Sequence, residues 1–187
     1  IRIQAPNYES NNHGSEDITY IVGEKGSWSI NDNYHIEFNK INTSRLSIRG
    51  FERVDYLSEF TTAPIVLPQI QTYNGSDWVV TRTRNINNNT FDITMQEEER
   101  LNSGGHVSET IGWFAITSSN LLSESIVIEN TVKSGVNITH NHTIPYDTSP
   151  YLISKVVSYN SPDTVNTRVT ANTSTYTNIS LKEEKSR

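Results

Sequence analysis

Apolar and polar residues alternate with a period of two in several short stretches of the chain, and this pattern predicts β-strands. Two stretches have an apolar residue at every second position: Tyr34, Ile36 and Phe38 in the first, and Phe91, Ile93 and Met95 in the second. Each apolar row is expected to face a core. Three further apolar segments complete the set of strands, at residues 65–72, 78–84 and 110–116. Turns rich in Asn, Gly and Ser separate the strands, so the pattern predicts an all-β protein built from antiparallel β-sandwiches.

An internal repeat divides the chain. Residues 64–82 match residues 150–168 without a gap, at an offset of 150 − 64 = 86, and the register continues toward the end of the chain. A second match pairs residues 13–22 with residues 106–115, at an offset of 106 − 13 = 93. Three partial copies of one unit are therefore present, and only the middle copy is complete.

The repeat predicts two tandem sandwich domains that are preceded by a separate strand. Residues 1–23 form an N-terminal donor segment, residues 24–116 a complete sandwich, and residues 117–187 a sandwich that lacks its last strand. The missing strand has its counterpart in residues 13–23, and its apolar residues are the predicted donor-strand contacts: Ile18, Tyr20, Ile21 and Val22. Burial of Ile18, Tyr20 and Val22 would contribute on the order of 5 kcal/mol.

The misplaced strand leaves three arrangements open. Residues 13–23 can fold back and close a monomer, or they can enter the C-terminal domain of another copy. The chain can also be a stretch of a longer tandem array. We expect the second arrangement, in which the protein binds further copies of itself head to tail as the structural subunit of an extracellular filament.

Three sequence features resemble the H-type lectin domains and related repeats of secreted adhesins: Phe60-x-x-x-Pro64-x-Val66, residues 85–91, and the Gly-Trp-Phe-Ala of residues 112–115. The resemblance covers residues 55–116 and, more weakly, 146–184. It implies a six-stranded antiparallel sandwich that binds sugars, although no sugar-contacting position can be matched. The alternative function is therefore a carbohydrate-binding segment of a tandem-repeat cell-surface adhesin. The predicted strand donation is similar to that of pilus and fimbrial subunits, in which one subunit donates a strand to the next.

Charge and composition exclude several classes of partner. The net charge of −6 and the pI near 5.3 provide no basic surface for nucleic acid or anionic membranes. No apolar run is long enough to span a bilayer. The chain has no Cys and therefore has no disulfide bond and no zinc-thiolate site.

Asn-x-Ser/Thr sequons predict N-linked glycans and an extracellular location. Seven positions carry the sequon: Asn42, Asn74, Asn88, Asn137, Asn141, Asn172 and Asn178. A chain this rich in Asn, Ser and Thr also forms sequons by chance, so glycans are expected on some of these sites.

Catalytic motifs are not found in the sequence, and the protein is expected to be neither an enzyme nor a cofactor-binding protein. The acidic runs at residues 97–99 and 183–184 are expected to be solvated strand ends, because adjacent carboxylates point to opposite faces of a strand. His140 and His142 share one face of a strand, but no third metal ligand is evident, so no metal site is predicted.

Two further pairs of charged or polar residues recur in the repeats. His13 and Glu16 occupy the same place as His106 and Glu109, where they are expected to fix the turn before the last strand. A second recurrence pairs Arg82 with Arg168. These arginines are expected to form ion pairs with acidic residues, with glycan hydroxyls as the alternative partners.

Overall fold

The computed structural model describes residues 18–30, 34–98, 104–117, 119–123, 126–128, 137–142 and 145–183. Within these ranges the regular structure consists of β-strands and one three-residue 3-10 helix at Ser47–Arg49, so the prediction of an all-β fold is confirmed. The strands are β1 (Gly26–Ile30), β2 (Tyr34–Thr43), β3 (Glu52–Asp55), β4 (Ile65–Ile70), β5 (Val79–Arg84), β6 (Thr90–Glu97), β7 (Glu109–Ile116), β8 (Ser119–Ser123), β9 (Ile126–Ile128), β10 (Asn137–Asn141), β11 (Val165–Asn172) and β12 (Tyr176–Glu183). No helix in the described ranges is long and apolar enough to cross a membrane.

The first seven strands form an antiparallel sandwich. The first sheet has the order β1-β2-β7-β4, and the second sheet has the order β3-β6-β5. This is one strand more than the lectin resemblance implies, because β1 extends the edge of the first sheet. Apolar side chains from both sheets and from the loops meet in one core: Leu46, Tyr56, Phe60, Val66, Phe91, Ile93, Met95, Ile111, Trp113 and Ala115. The row predicted on Phe91, Ile93 and Met95 therefore faces inward, as expected.

The row predicted on β2 faces the opposite way. Glu37 is fully buried, whereas Ile36 and Phe38 lie on the outer face of the first sheet, so the predicted orientation of Tyr34, Ile36 and Phe38 was wrong. The Glu37 carboxylate accepts two hydrogen bonds from the backbone N–H of Leu57, at 3.0 and 2.9 Å, which compensates part of its desolvation. Apolar residues line both faces of this sheet, and alternation alone does not say which face is covered.

The sequence repeat is also a structural repeat. β12 matches β6 at both ends, since 176 − 90 = 86 and 183 − 97 = 86, and β11 begins 86 residues after β5. The third sheet has the order β10-β12-β11, which reproduces the order β3-β6-β5 of the second sheet. A separate antiparallel pair, β8-β9, is the other element after residue 117 in the described ranges. A second complete sandwich, and with it the predicted two-domain organisation, is therefore not confirmed.

The counterpart of β4 has no strand structure. Residues 151–156 match β4 in sequence but form no strand, and Tyr151 is almost fully exposed. In the first sandwich β4 pairs only with β7, and the positions 86 residues after β7 lie beyond residue 187. Residues 151–156 pair with no strand among the described residues, and a single edge strand has no ladder of its own.

Candidate functional site

The closing strand β7 lies in the middle of the first sheet, between β2 and β4. Its inward residues Ile111, Trp113 and Ala115 are at most 3% exposed, and it forms backbone ladders on both edges. Without this strand, a slot lined by core side chains and by unpaired backbone groups would remain between β2 and β4.

Glu109 fixes the start of the closing strand. Its carboxylate accepts hydrogen bonds from the backbone N–H of Asn74 and of Gly75, both at 2.8 Å, and a short one from the Thr72 hydroxyl. The Asn74 side-chain amide donates back to the Ser108 carbonyl at 2.7 Å. We call Glu109 with Thr72, Asn74 and Gly75 the Glu109 clamp.

Two opposing effects act on the charge of Glu109. Desolvation by burial raises its pKa, but the hydrogen bonds from Thr72, Gly75 and Asn74 stabilise the carboxylate more strongly, so the pKa lies below its ordinary value. The clamp therefore contributes stability above the ordinary pKa of 4.5 and loses it as the pH falls through the lower pKa of the folded state.

His106 packs beside the same turn. Its Nδ1 donates to the Val107 carbonyl at 2.8 Å, and a Cβ added at Gly75 would lie 2.4 Å from the His106 ring. Glu109 therefore ties the start of β7 to the loop after β4. The expectation that His106 and Glu109 fix the turn before the last strand stays a prediction, because residues 99–103 of that turn lie outside the described residues. Sequence reasoning missed Thr72 and Asn74, although these positions recur as Ser158 and Asn160 at the 86-residue offset.

The predicted donor-strand residues are exposed in this chain. Ile18, Tyr20, Ile21 and Val22 are 45%, 67%, 49% and 82% exposed and belong to no strand. The β7 counterparts of Ile18, Tyr20 and Val22 belong to the core, so the apolar row of a buried strand is here presented to solvent. Residues 13–17 lie outside the described residues, and strand donation stays a prediction.

A groove lined by apolar rings and by polar side chains crosses the outer face of the first sheet. Phe38 and Phe114 lie side by side with ring centroids 4.8 Å apart, and Leu67 continues their row on β4. The groove has a volume of about 280 Å³, and Gln69 and Gln71 are among its polar lining residues. Residues 21–25 run along it, with Gly23 so close to the Phe38 ring that an added Cβ would lie 2.5 Å from it. We call this feature the outer groove.

Arg82 joins the sandwich to the second half of the chain. It is 2% exposed, and its Nη1 donates to Gln96 Oε1 at 2.7 Å and to the Asp163 carbonyl at 3.0 Å. Its Nη2 donates to the Ser158 carbonyl at 3.2 Å, and the guanidinium lies 4.9 Å from the centre of the Tyr159 ring. The expected ion pair with an acid was wrong for Arg82, which holds backbone carbonyls instead, and its counterpart Arg168 is exposed.

The first acidic run is buried at the same joint. Glu97 and Glu98 are at most 1% exposed, so the prediction of a solvated strand end was wrong for them. They end the central strand of the second sheet, where Thr164 donates its hydroxyl to the Glu97 carbonyl at 2.9 Å and covers the strand. In the second run, Glu183 is exposed as predicted, and Glu99 and Glu184 lie outside the described residues.

His140 lies on β10 and His142 directly follows the end of this strand, with the two ring centroids 5.7 Å apart. His142 hydrogen-bonds through Nδ1 to the Ser174 carbonyl at 3.2 Å and through Nε2 to the Thr177 hydroxyl at 2.9 Å. In the part of the chain that the structure describes, no group of three or more His, Asp or Glu residues is placed to hold a metal ion. The geometry assigns His142 to hydrogen bonding between strands.

The predicted glycosylation sites fall into two groups. Four are exposed, at Asn42, Asn74, Asn137 and Asn141, and three are half-buried, at Asn88, Asn172 and Asn178. Asn172 Nδ2 donates to the Pro150 carbonyl at 2.5 Å, and Asn178 Oδ1 is buried. A glycan on either of these two would displace the side chain, and Asn74 Nδ2 likewise donates to the Ser108 carbonyl, so Asn42, Asn137 and Asn141 are the better acceptors.

The chain is similar to the protein named halomucin from Haloquadratum walsbyi (strain DSM 16790 / HBSQ001). The two are 27% identical over 110 residues, which is 58% of this chain and 1% of halomucin. The chain therefore corresponds to a small fraction of the length of this relative. No protein-family model matches the chain, and no solved structure matches it.

Proposed function

We propose that the chain is a non-enzymatic repeat module of an extracellular, cell-surface protein of the adhesin or mucin type. The observation that carries this proposal is the 86-residue repeat, because β10, β11 and β12 reproduce the order of β3, β5 and β6 in another sheet. Repeats of this kind form arrays in which each unit contacts its neighbours. The similarity to halomucin supports the same interpretation, since the matched region is only 1% of that protein.

An array also accounts for the N-terminal strand sequence. Residues 13–23 would close a preceding unit as β7 closes the first sandwich, and residues 151–156 would pair with a further closing strand. Arg82 would act as the joint between consecutive units, because it links β5 to the residues of the next repeat.

Surface labelling tests this function. Antibodies against the chain are expected to label intact cells of the source organism, and brief external protease treatment is expected to remove the label. Labelling that requires permeabilised cells would contradict a cell-surface location.

The outer groove favours carbohydrate as the ligand of such a module. Sugars pack their apolar faces on aromatic rings and hydrogen-bond their hydroxyls to amides, and the groove presents Phe38 and Phe114 beside Gln69 and Gln71. Saturable binding on a glycan array that is lost in Phe114→Ala would support sugar binding.

The exposed row Ile18, Tyr20 and Val22 favours a second function, head-to-tail assembly into an extracellular filament. In this assembly each molecule donates residues 13–23 to the C-terminal half of the next. Electron microscopy of the purified chain at micromolar concentration tests it, with uniform thin fibres as the expected result. A monomer at every concentration in sedimentation velocity would argue against the filament.

A further inference from the structure

The contact between the two repeats has two halves, which lie on different repeats. The first half, which we call the sheet half, consists of Arg82 and Gln96 on the face of the second sheet that points away from the core. The second half, which we call the loop half, is the loop of residues 158–163. Both side chains of the sheet half donate hydrogen bonds to backbone carbonyls of this loop, and the Tyr159 ring lies 4.9 Å from the Arg82 guanidinium. The contact leaves Arg82 only 2% and Gln96 only 1% exposed.

The third sheet carries a second sheet half. Arg168 and Lys182 stand 86 residues after Arg82 and Gln96. The two sheets also share their register, since β11 pairs with β12 as β5 pairs with β6, up to Val169. Arg168 and Lys182 therefore occupy the same positions on the third sheet as Arg82 and Gln96 do on the second. Both of these side chains are exposed.

The loop of residues 72–77 is a second loop half. It keeps the tyrosine of the contact, with Tyr73 at the place of Tyr159. The side chain of Tyr73 is 46% exposed, whereas that of Tyr159 is half-buried. The Glu109 clamp fixes the backbone of this loop, so its carbonyls are held in place before any partner binds. Because the sheet half binds backbone carbonyls, which every residue carries, the other loop positions can differ in sequence.

We infer that Arg168 and Lys182 of one molecule bind the loop of residues 72–77 of a second copy, so that molecules associate head to tail. The Arg168 guanidinium donates to carbonyls at both ends of this loop, as Arg82 does within the chain, and the Tyr73 ring packs beside it. This inference rests on the repeat-module function proposed above and adds the surfaces through which modules join.

The direction of the contact explains why a second copy is needed. In the contact within the chain, the sheet half belongs to the earlier repeat and the loop half to the later repeat. The two remaining halves have the reverse order, because residues 72–77 belong to the first repeat and Arg168 to the second. The same geometry therefore recurs where the first repeat of one molecule follows the second repeat of another, which is a heterologous, head-to-tail contact.

Two substitutions alter the strength of this contact. Lys182 replaces Gln96, and its ammonium can donate to a loop carbonyl as the Gln96 amide does. Asn137 replaces Phe51, whose ring packs against Tyr159 with centroids 5.2 Å apart, so this aromatic contact is lost between molecules. We therefore expect an association weaker than the contact within the chain, where the two repeats are also covalently linked.

Photo-cross-linking between full-length chains tests the inference. The chains are produced without glycans, because Asn137 beside the second sheet half is a predicted glycan acceptor. An unlabelled chain that carries Tyr73→p-benzoylphenylalanine is mixed with an isotope-labelled chain without the probe, at roughly millimolar concentration, at which weak contacts are populated. Peptide mass analysis is expected to find products that join residue 73 of the unlabelled chain to the labelled β11 or β12 near Arg168. The same probe at Tyr151, which is 91% exposed, is the control and is expected to give no such product.

A substitution in the labelled chain tests the sheet half. Arg168→Ala is expected to lower the yield of this interchain product by about tenfold, because the guanidinium hydrogen bonds and the ring contact are lost. Lys40→Ala, which removes an exposed cation from β2, is the matched control and is expected to leave the yield unchanged. Circular dichroism and tryptophan fluorescence check that the variants are folded, the latter through Trp28, Trp78 and Trp113 of the first sandwich.

The outcomes separate this contact from the module function. If the probe at residue 73 links only to its own chain, or to other surfaces of the labelled chain, the inference is wrong. Equal yields with the parent chain and with Arg168→Ala would also show that Arg168 does not bind the loop. Either failure leaves the cell-surface function standing, because the labelling of intact cells tests that function separately.

Discussion

Glu97 is a carboxylate that the fold buries without full compensation. It is 1% exposed, and its Oε2 has no hydrogen-bond partner among the described residues. Desolvation by burial raises its pKa, the charges of Asp77 and Glu98 raise it further, and His106 opposes them. The folded state therefore binds a proton at Glu97 more tightly than the unfolded state does. The stability that this proton contributes below the ordinary pKa of 4.5 is lost as the pH rises through the higher pKa of the folded state.

Replacing this carboxylate by a neutral amide should stabilise the protein at neutral pH. Glu97→Gln is expected to raise the free energy of unfolding at pH 8 by about 1 kcal/mol, because no charge is then desolvated. At pH 4 the variant and the parent should be closer in stability, since the parent is then largely protonated at this site. Denaturant unfolding followed by tryptophan fluorescence measures both values, with Glu183→Gln as the exposed control. A destabilisation that is equal at both pH values would show that the carboxylate makes a favourable contact.

Single residues also explain why burial was misjudged from sequence. A Glu in a strand is expected to face solvent, yet Glu37 and Glu97 are both buried. The backbone N–H of Leu57 compensates Glu37, and residues of the next repeat cover Glu97. Neither partner is adjacent in sequence, so the pattern along a single strand could not reveal it.

β7 carries two different surfaces on one strand. Trp113 packs in the core against Tyr56 and Phe91, with ring centroids 5.8 and 5.2 Å away. Its neighbour Phe114 points to the outer groove and contacts Phe38. Ile111, Trp113 and Ala115 alternate with Phe114 and Ile116, so the sequence of this strand is apolar on both faces. Only the sheet order shows that one face is the core and the other a groove.

Truncation of the two neighbours should separate these roles. Trp113→Ala is expected to cost about 3–5 kcal/mol, because it opens a cavity in the core. Phe114→Ala is expected to cost less than about 1.5 kcal/mol, because the groove is open to solvent and the side chain is only half-buried. The midpoints of denaturant unfolding give both values. Equal costs would mean that the outer groove is closed in solution.

At the scale of the whole molecule, the contact between the repeats depends on Arg82. It donates to the backbone carbonyls of Ser158 and Asp163, which lie 76 and 81 residues away in sequence. Its third acceptor is the side chain of Gln96, within the same sheet. The ring of Tyr159 packs against Phe51 at 5.2 Å and adds to the same contact. Gln96 Nε2 also donates to the Pro162 carbonyl at 2.5 Å, so two buried side chains of the second sheet, Arg82 and Gln96, hold the loop of residues 158–163.

Loss of the Arg82 guanidinium should release the loop of residues 158–163 without unfolding the first sandwich. Arg82→Lys is expected to raise the rate of proteolysis within residues 157–164 roughly tenfold, because one ammonium cannot reach the three acceptors of a guanidinium fork. The three tryptophans should still report a folded first sandwich. Arg168→Lys, at the matching but exposed position, is the control and should leave the cleavage rate unchanged. Unchanged cleavage in Arg82→Lys would show that other contacts hold the loop.

The sequence by itself determined the all-β class, the 86-residue repeat, the identity of the closing strand and the paired His and Glu before it. These features are local or follow from comparing the chain with itself, so a period of two and a constant offset were sufficient. The tertiary structure alone decided which face of β2 is inward, which side chains complete the Glu109 clamp, and that Arg82 binds the next repeat. Each of these depends on what packs across a sheet or on groups far away in sequence, and no periodicity encodes such partners.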